Sequence, residues 1–171
     1  MPVVEAQRVV PVSPDVAFAV SQTTGAIRLR WDRFIVEQHH LDGATTAAKG
    51  VRTQTRQRFG LTMISRYVSF RPPTSVGFVM ERGPRFFAKM GGGWRFEPAQ
   101  GDPERTLATW RYNFSCRPVW LAPLAERIGS VLLKREIERR IDGFVVGCGD
   151  PVVLVAVGGS AKCEEPPTQA G

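Results

Sequence analysis

Cysteine, histidine and tyrosine are scarce in this 171-residue chain, and the scarcity excludes several chemistries at once. Three cysteines (Cys116, Cys148, Cys163) make an odd count with no CxxC pair. That argues against a disulfide framework and a structural zinc, and for reduced thiols in a cytoplasmic protein. The two histidines, His39 and His40, are adjacent; neighbours on a strand point to opposite faces, so they cannot form one metal face. No GxSxG elbow accompanies them, which leaves a single imidazole as a pocket acid or base. GxxxxGK[ST] and GxGxxG are both missing, so the run Gly91–Gly93 is no phosphate cradle. No apolar run approaches the roughly 20 residues that span a bilayer. The opening MPVVEAQRVV lacks the basic and apolar regions of a signal peptide. No metal and no cofactor is implied.

What is present is ordinary in amount and basic in balance. Hydrophobic residues make up 43% of the chain and the mean hydropathy is −0.14, as expected of one globular domain with a proper core. The net charge of +7 brings phosphate-bearing partners into consideration, but the 23 Lys and Arg are spread along the whole chain. In WRYNF and GWRF, strand alternation puts arginines and aromatics on opposite faces, whereas a stacking platform needs both on one surface. Nucleic acid is therefore disfavoured, and a basic face resting weakly on anionic lipid is preferred.

The chain is organised around its last long helix, Leu121 to about Val146, with Pro123 in the first turn, where its missing N–H has no intrahelical partner. Leu121, Leu124, Ile128, Val131 and Leu132 form one apolar stripe. Leu133, Ile137, Ile141, Phe144 and Cys148 form another, rotated away from it. The spacing predicts that another segment covers the first half and that the second half lies on a sheet.

Ahead of this helix, residues 3–12 read as a strand, Ser13-Pro14-Asp15 opens a short helix, and AIRLRWDRF with Trp31 follows as a second. FIVEQHHLD is the next strand. In KGVRTQTRQRFG the long polar side chains alternate outward, which turns Thr53, Thr55, Gln57 and Phe59 inward. So polar an inner face suits a cavity wall or an open sheet face. LTMISRYVSFR is ambiguous: Met63 with Tyr67, or Ile64 with Val68 and Phe70, face inward. Pro72-Pro73 forces a turn before TSVGFVMER, and Gly91–Gly93 suggests a bulge or bend. TLATWRYNFSCRP alternates cleanly, with Ala108, Trp110, Tyr112, Phe114 and Cys116 on one face. Residues 1–149 are expected to form one domain. Beyond it, PVVLVAV predicts a covered apolar run, paired to a sheet edge or laid on the first-half stripe, followed by a disordered polar tail.

The order of strand, two short helices, about six antiparallel strands and a long C-terminal helix resembles the START-like polyketide cyclase/dehydrase superfamily (SRPBCC, the helix-grip fold). VEAQRVVPVSPDVAFAV, Trp31-Asp32, GVRTQTRQRFG, the proline pair in YVSFRPPTSVGF, and WRYNFSCRP before the final helix carry the likeness over residues 3–148. The resemblance implies an α+β fold, a curved antiparallel sheet of about seven strands wrapped around the C-terminal helix. It also implies a deep cavity between the two for lipids, polyketides or other apolar molecules. It implies no shared catalytic set.

On this frame, Phe78, Met80, Trp94, Trp110, Tyr112 and Phe114 are candidates for an apolar pocket wall, against the alternative of a packed core. Trp31, Phe59, Met63, Ile137 and Ile141 complete the expected lining, and Gln57, Tyr67, Tyr112 and Arg82 are the groups that would orient a ligand. Three functions remain open: a carrier or sensor of a hydrophobic small molecule or lipid, a polyketide cyclase/aromatase-type enzyme, and a structural domain with a closed pocket.

Overall fold

A computed structural model describes residues 1–118 and 120–158. The period-two stretches become strands and the capped stretches become helices. β1 (Val3–Val10) leads to α1 (Pro14–Ser21), which has a proline in its first turn, and then to α2 (Gly25–Trp31). An antiparallel meander follows: β2 (Ile35–His40), β3 (Arg52–Gln57), β4 (Thr62–Arg71), β5 (Ser75–Arg82), β6 (Phe87–Ala99) and β7 (Asp102–Cys116). The chain then forms α3 (Ala122–Gly147) and the short α4 (Pro151–Ala156). The seven strands form one curled sheet in the order β1-β7-β6-β5-β4-β3-β2, and α3 lies against β1 and β7. This is the expected α+β helix-grip arrangement.

The core is aromatic and layered. Along β7, Ala108, Trp110, Tyr112, Phe114 and Cys116 are buried, as the alternation predicts. Trp94 of β6 stacks on Trp110 with centroids 4.2 Å apart, and Phe144 of α3 packs on Trp94 at 4.7 Å. The second apolar stripe of α3 (Leu133, Ile137, Ile141, Phe144) is buried and Cys148 follows it into the core. The ambiguous strand resolves through a register shift between Tyr67 and Ser69. An irregularity of this kind re-aims side chains, so Tyr67 and Phe70 both reach the core side and their rings meet edge to face at 6.1 Å.

Two expectations fail. The first stripe of α3 has no cover among the described residues: Leu124, Ile128, Val131 and Leu132 are all more than half exposed. The apolar run after residue 149 neither joins the sheet nor lies on that stripe. It forms α4, which packs on α1 and α2 and buries only Val153 completely. Local chemistry decides this. The Asp150 carboxylate accepts from the Val152 N–H at 2.8 Å, and Pro151 occupies the first turn. Together these cap a helix that outweighs the β-propensity of the valines. The disordered tail expected from the sequence lies outside the described residues.

α3 and α2 meet at unusually short range. A Cβ on Gly143 would collide with the Trp31 carbonyl oxygen, and one on Gly147 would come within 2.8 Å of the Trp31 side chain. Gly143→Ala therefore sets overpacking, costing about 1–3 kcal/mol, against a helix-propensity gain of about 1 kcal/mol. A lower Tm is expected in a thermal melt, and a raised Tm would show that α2 moves aside freely.

Candidate functional site

A small chamber opens between the inner face of the sheet and the helices, with a volume of about 70 Å3. One wall is aromatic: Trp94, Trp110, Tyr112 and Phe78. The opposite wall is polar and neutral. Gln38 comes from β2; Thr53, Thr55 and Gln57 from β3; Ser65 and Tyr67 from β4, with Met63 beside them. Thr53, Thr55 and Gln57 face inward as the sequence predicts, and the long polar residues between them, such as Arg56, point out to solvent. Gln38 Nε2 donates to Thr55 Oγ1 at 3.0 Å and His40 Nδ1 lies 3.2 Å from Thr53 Oγ1, so the polar wall holds itself in place.

The helical end of the chamber is charged, and sequence reading did not foresee it. Asp32, at the C-terminus of α2, is fully buried. It accepts from Arg28 Nη2 at 2.9 Å and Nε at 3.1 Å, and from Arg140 Nη2 at 2.7 Å and Nε at 3.2 Å. Arg140 Nη1 donates to the Tyr112 hydroxyl at 2.8 Å and to Glu136 at 3.5 Å. Its guanidinium lies between two rings, 4.4 Å from Trp110 and 4.9 Å from Phe34. Arg28 stacks over Trp31 at 3.9 Å and donates to the Ser21 carbonyl.

Burial and charge compete across this network. Burial alone would raise the Asp32 carboxyl, but Arg140 and Arg28 outweigh it and hold the group below its ordinary value. Burial lowers Arg28 despite Asp32, whereas Asp32, Tyr112 and Glu136 keep Arg140 above the ordinary value in spite of burial. Burial raises the Tyr112 and Tyr67 hydroxyls, and raises Glu136 with Arg140 only partly opposing it.

Outside the chamber lies a groove of about 740 Å3. Phe59, Leu132 and Val146 supply its exposed apolar surface and Arg33, Arg58, Arg135 and Arg139 rim it. Phe34 and Arg140 line both spaces. A larger depression of about 950 Å3 runs along the solvent side of β1, β6 and β7. It is walled by groups such as Glu5, Arg111 and the paired Arg95 and Glu97, and lies away from the buried charges.

The structure thus gathers Gln57, Met63, Tyr67, Phe78, Trp94, Trp110 and Tyr112 at one chamber. It places the other candidates elsewhere. Phe59 is 80% exposed because β3 ends at Gln57 and the chain turns at Gly60, so it stands on the groove instead of inside. Met80 pairs with Ser65 and so shares the inner side of the sheet, but it does not line the chamber and borders the larger depression with Ala88 and Met90. Phe114, Ile137 and Ile141 are fully buried packing residues. Trp31 backs the outer groove against Phe144, and Arg82 is exposed. Among the described residues no group of His, Cys, Asp and Glu has the clustering of a metal site.

Asp32→Asn leaves two buried guanidiniums facing a neutral amide. A loss of about 3–5 kcal/mol is expected in urea unfolding at neutral pH. The folded-state pKa of Asp32 is depressed, so its ionised form stabilises the fold above the ordinary value of 3.8, and this is lost as pH falls through the folded pKa. The variant should show a shallower acid limb than the parent; parallel acid limbs would show that Asp32 does not carry this dependence.

The fold has many solved counterparts at low identity. A protein from Thermus thermophilus superposes with TM-score 0.70 at 16% identity, covering 91% of this chain and 99% of its own. The Zhui aromatase/cyclase from Streptomyces sp. R1128 gives 0.70 at 17% identity, covering 88% and 95%. A START superfamily protein from Mycobacterium smegmatis gives 0.66 at 13% identity, covering 84% and 97%. No curated protein matches by sequence. The family described as polyketide cyclase / dehydrase and lipid transport matches residues 1–146, almost the whole described fold. The chain belongs to that family.

Proposed function

We propose that the chain binds a hydrophobic small molecule or lipid between the sheet and α3 and returns it unchanged, as a carrier or sensor. The observation that carries this reading is a shared wall. Phe34 and Arg140 border both the inner chamber and the outer groove, so a ligand with its apolar body in the groove would reach the chamber with a polar end once these two side chains part. Residues 1–149 form the binding unit in this reading. α4 braces it through Asp150, whose carboxylate meets Arg30 at 2.8 Å. Cys116 and Cys148 are free and buried, with the Cys148 thiol pushed up to about 12 by burial, which suits a reducing, cytoplasmic setting.

The chamber walls favour carriage over turnover. Threonine and glutamine line one side, the two tyrosines hold their protons more tightly than free tyrosine does, and Asp32 is committed to two guanidiniums. None is poised to exchange a proton near neutrality. The cyclase reading draws on the aromatase/cyclase among the structural counterparts and on Glu136, which lines the groove with its carboxyl raised by burial. In that reading Glu136 is the group through which a proton would move.

Lipid loading would also give the exposed half of α3 a role. Leu124, Ile128 and Val131 share the helix with the exposed Arg127, Lys134, Arg135 and Arg139, a combination suited to an anionic lipid surface. Among the described residues no helix is long and apolar enough to cross a membrane.

Native mass spectrometry of the purified protein, with organic extraction of what it releases, tests the binding reading. A co-purified apolar molecule is expected, recovered unchanged after incubation and depleted in Trp110→Ala. A clean apo mass, with no thermal shift against a lipid and polyketide panel, would establish the closed structural domain instead; chemical conversion on incubation would establish the enzyme. Ile128→Asp is expected to abolish sedimentation with phosphatidylglycerol vesicles, and equal pelleting of parent and variant would remove α3 from membrane contact.

A further inference from the structure

The head of the chamber is rich in hydrogen-bond donors. Arg28 and Arg140 share one fully buried carboxylate, Asp32, and among the described residues Glu136 meets only Arg140, at 3.5 Å. Each guanidinium carries five N–H donors. Arg28 uses Nε and Nη2 on Asp32 and one Nη1 donor on the Ser21 carbonyl. Arg140 uses Nε and Nη2 on Asp32 and Nη1 on Tyr112 and Glu136. Donors remain on both.

A second observation points the same way and is independent of charge. The indole Nε1 of Trp110 is buried with no hydrogen-bond partner among the described residues, and Trp110 lines the chamber between Arg140 and Trp94. A buried donor without an acceptor costs free energy, so such groups are normally matched. The polar wall opposite is neutral, and two of its hydroxyls are engaged, Thr55 by Gln38 and Thr53 by His40. Gln22 Oε1, the other unpartnered atom of the chamber, is an acceptor and suits a water or a hydroxyl. What the charged end lacks among the described residues is an acceptor oxygen for these donors.

The space sets the size of that group. The chamber holds about 70 Å3 against about 740 Å3 in the groove, so it suits a small polar head and the groove suits the body. Everything else in the ligand must pass Phe34 and Arg140 into the groove, where Phe59, Leu132 and Val146 offer apolar surface and Arg135 and Arg139 rim the way in. Cations at the mouth draw an anion toward the cations at the end.

We propose that the ligand is an organic acid with an apolar body. Its carboxylate accepts from Trp110 Nε1 and from the unused N–H donors of Arg28 and Arg140, and its body lies in the groove beyond Phe34. This rests on the cavity-binding reading and specifies its ligand class.

Matched acid and ester pairs test it on the unmodified protein: decanoic acid against methyl decanoate, and naphthoic acid against its methyl ester, by titration calorimetry at neutral pH. The acids are expected to bind at least about tenfold tighter, as charge-assisted hydrogen bonds require. Trp110→Phe keeps a ring and removes the N–H; it should weaken the acids about threefold to tenfold more than it weakens the esters. Equal affinity for acid and ester would overturn the acidic head while leaving cavity binding intact. Binding of neither would overturn both. An acid preference that survives Trp110→Phe but vanishes in about 0.5 M salt would place the anion on the basic surface and overturn the proposal. If Trp110→Phe does not fold, the acid-to-ester ratio of the parent decides alone.

Discussion

A carboxylate sealed from water has to be matched by cations, and in this chain that requirement joins two helices. Asp32 has no exposed surface and two guanidiniums, one from its own helix and one from α3. Removing such charges from water costs several kcal/mol per ion, which good geometry and further hydrogen bonds can only offset. The arrangement therefore adds little net stability over an apolar core of the same volume. It adds direction: α3 can approach the sheet only with Arg140 opposite Asp32 and beneath Tyr112.

The packing around the network follows from that alignment. With Arg140 held, the face of α3 one turn on is set against Trp31, and only glycine at 143 and 147 leaves room for it. Trp31 in turn meets Phe144, which reaches Trp94 and so the sheet. Polar contacts fix the orientation of the helices, and aromatic contacts supply the burial that holds them there. The first half of α3 lies beyond both sets of contacts, and its apolar residues stay in solvent.

Most of the fold was legible in the sequence because it depends on periodicity and turn chemistry. The alternation in β3 and β7, the proline pair after β4 and the 133–137–141–144 spacing in α3 each specify a face without tertiary information. The inward facing of Thr53, Thr55 and Gln57 was legible for the same reason, but alternation alone left a cavity wall and an open sheet face equally open, and Gln38 and Ser65 carried no signal of their own. The charged end was not, because arginines on a basic chain read as solvent-facing. The signals were nonetheless present: Arg140 shares the buried face of α3 with Ile137 and Phe144, and Arg28 lies four residues before Asp32, where a helical pair meets. α4 was missed because its valines favour strand while Asp150-Pro151 favours a helix start. Phe59 was misplaced by extending alternation two residues past the end of β3.

The position of Arg140 has a kinetic consequence. It is at once a wall of the inner chamber, a wall of the outer groove and a partner of the buried carboxylate. In the ligand-binding reading, a molecule reaching from the chamber into the groove would lie against this side chain, which stacks on Phe34 and Trp110 and is bonded to Asp32 and Tyr112. The molecule's off-rate would then depend on how often the network yields as well as on how well the aromatic wall fits. In that reading residence time and equilibrium affinity would be separately adjustable, because substitutions that loosen Arg140 would hasten exchange of unlike ligands together.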